Sequence, residues 1–175
     1  MFRRPAPEHA ETLAAWLSFG IERVCAGLVA GMVVIVWLGV FSRYFVDLGI
    51  TWNEELARYV MIWAALLAVP AGIYRREHIG LDMLVRMLPP RAASTLRVTL
   101  DLIGIGFFLF LFVFGLSMAA NGANQYATIF RMTMVVPLAS VPTCAALSVV
   151  QLLLTMVRDA GESGRLAPGA KVEVS

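Results

Sequence analysis

The sequence predicts an all-α integral membrane protein with four transmembrane helices and further amphipathic helices at the membrane interface. Three observations carry this expectation. The 175 residues are 59% hydrophobic and only 15% charged, with a mean hydropathy of +0.78, whereas soluble domains run at roughly 45–50% apolar and about 25% charged residues. The charges cluster between long uncharged runs, the pattern of a chain that crosses a bilayer. Lysine and arginine are also split unequally between alternate connections, which sets an orientation. A net charge of +2 is too small to point to nucleic acid as a partner.

Residues 1–23 read as a cytoplasmic amphipathic segment. Leu13, Trp16, Leu17 and Ile21 recur at helical spacing, opposite Glu11, Ser18 and Glu22, a pattern that suits a helix on the membrane surface. Arg3-Arg4 is not read as part of a secretory signal, because no short cleavable apolar run follows it. The membrane domain is expected over 24–157. Its first span, 24–42, holds no charge, and the Gly27–Gly31 pair, with Gly39 two turns on, offers a face on which another helix can pack closely.

The connection after span one runs Arg43-Tyr44-Phe45 through Trp52-Asn53-Glu54-Glu55-Leu56-Ala57-Arg58-Tyr59. Tyr44, Trp52 and Tyr59 suit the interfacial aromatic belt. Thr51 or Asn53 can cap the next helix, leaving Glu54 and Glu55 in its first turn, where the helix dipole favours anions. Glu54 and Arg58 are four apart in the acid-before-base order that supports a helix. Arg43, Glu54, Glu55 and Arg58 are therefore expected to form a polar knot that fixes the first two spans for a partner. Span two, 59–74, is short for the roughly 20 apolar residues a crossing needs, but Arg58 and Arg75 at its borders can snorkel and extend it.

Tyr74-Arg75-Arg76-Glu77-His78-Ile79-Gly80-Leu81-Asp82 continues to Leu88-Pro89-Pro90. Arg75, His78, Asp82 and Arg86 share one helical face, and Leu81, Leu84, Val85 and Leu88 share another. An interfacial helix is expected over 78–88, stopped by the two prolines. His78, beside arginines at a helix start, reads as a local hydrogen-bonding group. Span three, 98–121, carries Asp101 near its cytoplasmic end with Arg97 one turn away, and phenylalanines wrap most of its circumference. Span four, 132–157, contains Pro137 and Pro142, expected to kink it, with Ser140, Thr143 and Ser148 placed to satisfy the freed backbone groups. Residues 158–175 are expected to be a disordered cytoplasmic tail. Cys25 and Cys144 fall in different spans and read as packing residues.

With both termini in the cytoplasm, the inner segments hold Arg3, Arg4, Arg23, Arg75, Arg76, Arg86, Arg91, Arg97, Arg158, Arg165 and Lys171. The outer segments hold only Arg43, Arg58 and Arg131. This is a clear positive-inside bias. The sequence supplies no metal-ligand cluster, no phosphate-cradling loop with its lysine, and no nucleophile with its base. The two histidines, His9 and His78, lie outside the spans, against a haem-bearing anchor. Four spans without a mid-membrane charge or an inverted repeat make a poor carrier. The chain therefore reads as a supporting subunit, with no enzymatic activity and no cofactor of its own.

In combination, Arg43-Tyr44, Trp52-x-Glu54-Glu55-x-x-Arg58, His78-Ile79-x-x-Asp82 and Leu88-Pro89 resemble the DctQ-type small membrane subunit of TRAP transporters, the tripartite ATP-independent periplasmic systems of bacteria. The similarity covers about residues 24 to 157, with its motifs in the first half. Ile73-Tyr74-Arg75-Arg76 is bulkier and more basic than the small-residue run expected before the His-Ile pair. The resemblance implies a multi-pass protein of the bacterial inner membrane. It implies as partners a large TRAP permease subunit, a periplasmic binding protein that delivers an organic acid, and membrane lipids. Sodium and substrate sites then belong to the permease. Arg43, Trp52, Glu54, Glu55, Arg58, His78 and Asp82 become architectural and interface residues. Two alternatives are the small subunit of a tripartite tricarboxylate system, which should lack the Trp-x-Glu-Glu and His-Ile-x-x-Asp pair, and the membrane anchor of a redox enzyme.

Overall fold

The structure is a computed structural model, and it describes residues 6–46, 52–75, 90–127, 129 and 133–165. The described elements are helical, with one isolated antiparallel bridge between Tyr126 and Thr133. Helix α1 spans Ala6–Phe41 and ends in a π-helical turn, Ser42–Val46. Helix α2 spans Asn53–Arg75 and α3 spans Pro90–Asn121. A 3-10 turn, Gly122–Asn124, leads to the short helix α4, Val135–Leu138, and to α5, Ser140–Arg165. Four helical stretches are long and apolar enough to cross a membrane: Glu11–Phe45, Asn53–Arg75, Thr95–Asn124 and Val135–Asp159.

The segment before residue 24 and the first span form one helix, about 54 Å long at 1.5 Å per residue. Packing divides the face expected to lie on the membrane surface. Ala14, Ser18 and Ile21 are buried and Leu17 packs on the core, whereas Leu13 and Trp16 point outward, Trp16 being 75% exposed. The second span gains length at its start, because α2 begins at Asn53 and its 23 residues reach about 35 Å, enough to cross roughly 30 Å of hydrocarbon. The final helix runs on to Arg165, into the stretch expected to be a disordered tail. The interfacial helix expected over 78–88 lies outside the described residues.

Helices α1, α2 and α5 pack against one another, while α3 leans on α5 and on the short elements that follow it. Ile21, Leu67 and Ala71 centre a small apolar core, joined by Leu17, Cys25, Leu28, Trp63 and Leu147. Beside Ala145 and Leu152, the buried face of α5 carries a polar seam. Ser140, Cys144, Ser148, Gln151 and Thr155 are all buried and recur every three or four residues, while Val150, Leu153 and Val157 are exposed. Water would favour the reverse. In lipid, helices associate through close packing and interhelical hydrogen bonds, so an apolar exterior and a polar seam are the stable arrangement.

Glycines set the closest approaches, at positions other than the expected pair. Among the described residues a Cβ at Gly27 or Gly31 would meet nothing within 4 Å, so this pair forms no contact face there. Gly39 instead lies against Asn53. On α3, Gly104 faces Leu152, and Gly115 faces Val141 and Pro142.

Candidate functional site

The polar residues of the connection after α1 gather at one end of the bundle, and α2 organises them. Glu55, Tyr59 and Trp63 follow one another at intervals of four along one face of α2, with the buried Leu67 below. This stripe meets the broken segment between α3 and α5. The carboxylate of Glu55, only 9% exposed, accepts the Tyr59 hydroxyl proton at 2.8 Å on Oε1. Its Oε2 accepts the backbone N–H of Ile129 at 3.1 Å. The Tyr59 oxygen also lies 3.9 Å from Met134 Sδ. One turn further on, the Trp63 indole N–H donates to the Val136 carbonyl at 3.1 Å. These contacts answer the question a buried carboxylate raises: its charge is tolerated because both oxygens accept hydrogen bonds.

The break explains why Val136 needs the indole. Helix α4 ends at Leu138 and α5 starts at Ser140, so the helical ladder is interrupted around Ala139. Two of the three expected hydroxyls bond backbone carbonyls here, although the Ala139 carbonyl also keeps the Thr143 N–H at 3.2 Å. The Ser140 hydroxyl donates to the Pro137 carbonyl, and the Thr143 hydroxyl donates to Ala139 at 2.7 Å. Ser148 lies 3.9 Å from Cys144 Sγ instead.

The remaining members of the expected knot sit outside this buried core. Arg43, on the π turn, reaches Glu54 at 3.5 Å, with both side chains largely exposed. Glu54 thus pairs across the connection, in place of the expected partner four residues along the same helix. Arg58 is exposed and joins no ion pair among the described residues. Trp52 is exposed at the mouth of α2, where its carbonyl accepts the Leu56 N–H at 3.1 Å. Asn53 does not cap the helix: its amide is buried against Gly39, and neither polar atom has a partner among the described residues. Thr51, His78 and Asp82 lie outside the described residues.

A second polar group lies at the opposite end of α2. Arg75 donates to Glu22 Oε1 from Nη2 at 2.8 Å and from Nε at 3.1 Å, and the Ser18 hydroxyl reaches the same oxygen at 3.3 Å. Arg158 pairs with Asp159 and lies 5.7 Å from the Tyr74 ring centroid, within cation–π range. Between the ends, Gln151 is fully buried and donates from Nε2 to the Ala14 carbonyl at 3.2 Å, tying α5 to α1. Sequence reading passed over Glu22–Arg75, Trp63, Ile129 and Gln151. Gln151 carried a usable signal, as a lone amide within an apolar run. Trp63 carried another, lying one and two turns beyond Tyr59 and Glu55. Ile129 carried none, since its contribution is a backbone N–H.

Among the described residues no group of three or more His, Cys, Asp or Glu is placed to hold a metal ion. The arrangement holds helices and a turn in fixed positions.

Residues 32–162 match the family described as the DctQ component of tripartite ATP-independent periplasmic transporters. The chain is 32% identical over 91 residues to a Haemophilus influenzae protein named as a TRAP transporter small permease protein, covering 52% of this chain and 56% of that one. It is 31% identical over 98 residues to the isethionate TRAP transporter permease protein DctMQ of Oleidesulfovibrio alaskensis, covering 51% of this chain and 15% of that one. It is 29% identical over 70 residues to the C4-dicarboxylate TRAP transporter small permease protein DctQ of Vibrio cholerae, covering 40% of this chain and 30% of the relative. The aligned stretch thus spans little more than half of the Haemophilus relative and less of the other two.

Proposed function

The chain belongs to the DctQ family of tripartite ATP-independent periplasmic transporters, and we propose that it acts as the scaffold for a sodium-coupled permease importing an organic acid. As a small TRAP subunit it is a multi-pass protein of the inner membrane and a transporter component. In the proposed arrangement the large permease holds sodium and substrate, while this chain steadies the permease in the bilayer and offers part of the docking surface for a periplasmic binding protein. Both termini lie in the cytoplasm, which places the Glu55 end of the bundle in the periplasm.

The observation that carries this reading is the family match over residues 32–162. The name DctMQ, on a protein of which the aligned stretch covers only 15%, supports close association with a much larger membrane subunit. The names of two relatives, isethionate and C4-dicarboxylate, support a small organic anion as the cargo. The polar clusters at the two ends of α2 support a scaffold role: they fix the helices while leaving much of α1 and α3 exposed to lipid or a membrane partner. Family membership decides against the tricarboxylate-system and redox-anchor alternatives.

Affinity purification from the native cell in mild detergent tests the reading. A large polytopic permease is expected to co-purify, and its absence would overturn the assignment. Charge reversal, Glu55→Lys or Arg58→Glu, is expected to impair assembly and uptake. Normal co-purification together with normal uptake in both variants would remove Glu55 and Arg58 from the architectural role.

A further inference from the structure

The contacts of α1 show how deep each part of that helix lies in the bundle. Ile21 packs with Leu67, Ala71 and Leu147, and the Cys25 thiol reaches the Ala64 carbonyl at 3.8 Å. Ala64 is the middle residue of the span Asn53–Arg75, and Leu147 is the middle residue of the span Val135–Asp159. Arg23 stands between Ile21 and Cys25, so it lies near the middle of the bundle and not at its end. A second measure agrees. Gln151 bonds the Ala14 carbonyl, and α5 carries no charge from there to Arg158, seven residues or about 10 Å further on. In the opposite direction Phe19 is five residues, or about 8 Å, past Ala14. The Arg23 guanidinium lies 4.0 Å from the Phe19 ring centroid, which sets it roughly 18 Å from the level of Arg158. Half the thickness of a bilayer's hydrocarbon is about 15 Å.

A charge at that depth is costly and is found where another group meets it. Glu22, its neighbour, is already met by Arg75 and by the Ser18 hydroxyl. Arg23 is not. It is exposed and joins no ion pair among the described residues; the Phe19 ring is its one contact there. Exposed apolar side chains bracket it on the same helix, with Leu13, Trp16 and Phe19 on one side and Val24 and Val29 on the other. A lipid phosphate lies beyond the hydrocarbon edge, whereas a carboxylate on a neighbouring membrane helix can meet the guanidinium at its own depth. The positions around Arg23 on this outward face are Gly20, Ala26, Gly27 and Ala30, all exposed, and residues so small let another helix approach closely. Tryptophan and arginine, here Trp16 and Arg23, are also the residue types that dominate binding energy at interfaces.

We propose that Arg23 is a carboxylate-binding residue inside the membrane: it pairs with an aspartate or glutamate on a transmembrane helix of the large permease, which packs along the outward face of α1. This rests on the reading given under Proposed function. It adds the helix that makes the contact, the residue that selects the partner, and the charge the partner carries at that depth. It also extends the first crossing past residue 24 into the segment that the sequence places on the membrane surface.

The test purifies the complete transporter in mild detergent through a tag on this chain, and measures the permease retained per chain beside the amount of the chain itself. Arg23→Leu removes an exposed charge. It is expected to leave accumulation of the chain unchanged and its unfolding temperature unchanged or higher, while permease retention falls about tenfold, as loss of one partner of a desolvated charge pair does. Arg23→Lys keeps a cation and is expected to restore most of the retention. Gly27→Leu alters no charge but obstructs close approach, and is expected to act in the same direction as Arg23→Leu. Full retention of the permease in Arg23→Leu would overturn this inference alone. Full retention together with loss of a co-purified anionic lipid, read by native mass spectrometry, would assign Arg23 to a headgroup and overturn it as well. Failure of the unmodified chain to retain a permease would overturn the underlying reading and this inference with it. Should Arg23→Leu fail to accumulate, Arg23→Gln, uncharged but polar, decides by the same measurement.

Discussion

Glu55 and Gln151 are both buried polar side chains, and they differ in how well they are satisfied. Both Glu55 oxygens accept hydrogen bonds, so removing the carboxylate leaves the Ile129 N–H without its acceptor. Gln151 uses its nitrogen toward Ala14, while its Oε1 has no hydrogen-bond partner among the described residues. An interhelical hydrogen bond in a membrane contributes about 0.6 kcal/mol on average, whereas an unsatisfied buried carbonyl costs about 1–3 kcal/mol. The penalty outweighs the bond. Gln151→Met, similar in volume and free of the orphaned oxygen, is therefore expected to match or exceed the parent in thermal stability in detergent. Gln151→Ala is expected to lose stability, because it leaves a cavity between α1 and α5. A marked loss in Gln151→Met would show that the amide bond to Ala14 dominates.

At the scale of elements, the junction of α3 and α4 has the least room. A Cβ at Gly122 would come within 2.8 Å of Leu138 Cδ1 and 3.1 Å of backbone atoms of Met134 and Val135. The leucine end can rotate, but the backbone of the following turn cannot move without disturbing the Gln125–Met134 bond. Gly122→Ala is accordingly expected to cost about 1–3 kcal/mol, the usual range for overpacking, read as a lower unfolding temperature of the purified protein. Gly27→Ala, where a Cβ meets nothing within 4 Å among the described residues, serves as the control for the isolated subunit. The same contrast separates Gly39, which packs within the chain, from Gly27 and Gly31, which do not among the described residues. Spacing identifies glycines that allow close approach, but only the neighbouring helix decides which of them are used. The break in the last span at Ala139 falls between the two prolines, Pro137 and Pro142, that mark it in the sequence. The capture of the Val136 carbonyl by Trp63, 73 residues away, was not.

At the scale of the whole molecule, α1, α2 and α5 form a mutually packed unit and α3 attaches to it through α5. Orientation across the membrane rests on the arginine and lysine distribution. It can be checked with a membrane-impermeant maleimide in spheroplasts, after Cys25 and Cys144 are replaced by alanine. A cysteine at exposed Asn124, in the turn after α3, is expected to label from outside. A cysteine replacing Ser175 is expected to label only after the membrane is opened. The reverse pattern would invert the topology and place the Glu55 end in the cytoplasm.

By itself the sequence determined the four spans and the helical class, because twenty-residue apolar runs and the charge between them are local properties that a bilayer reads directly. It also exposed the Trp-x-Glu-Glu-x-x-Arg run that carries the family resemblance. Tertiary structure alone decided what those residues touch. Arg43 chooses Glu54, Glu22 holds Arg75, and Glu55 reaches Ile129, 74 residues away in sequence. Such partners are set by which faces of the helices meet. In lipid, close packing and the need to satisfy buried polar groups choose those faces, and neither is encoded in the period of one helix.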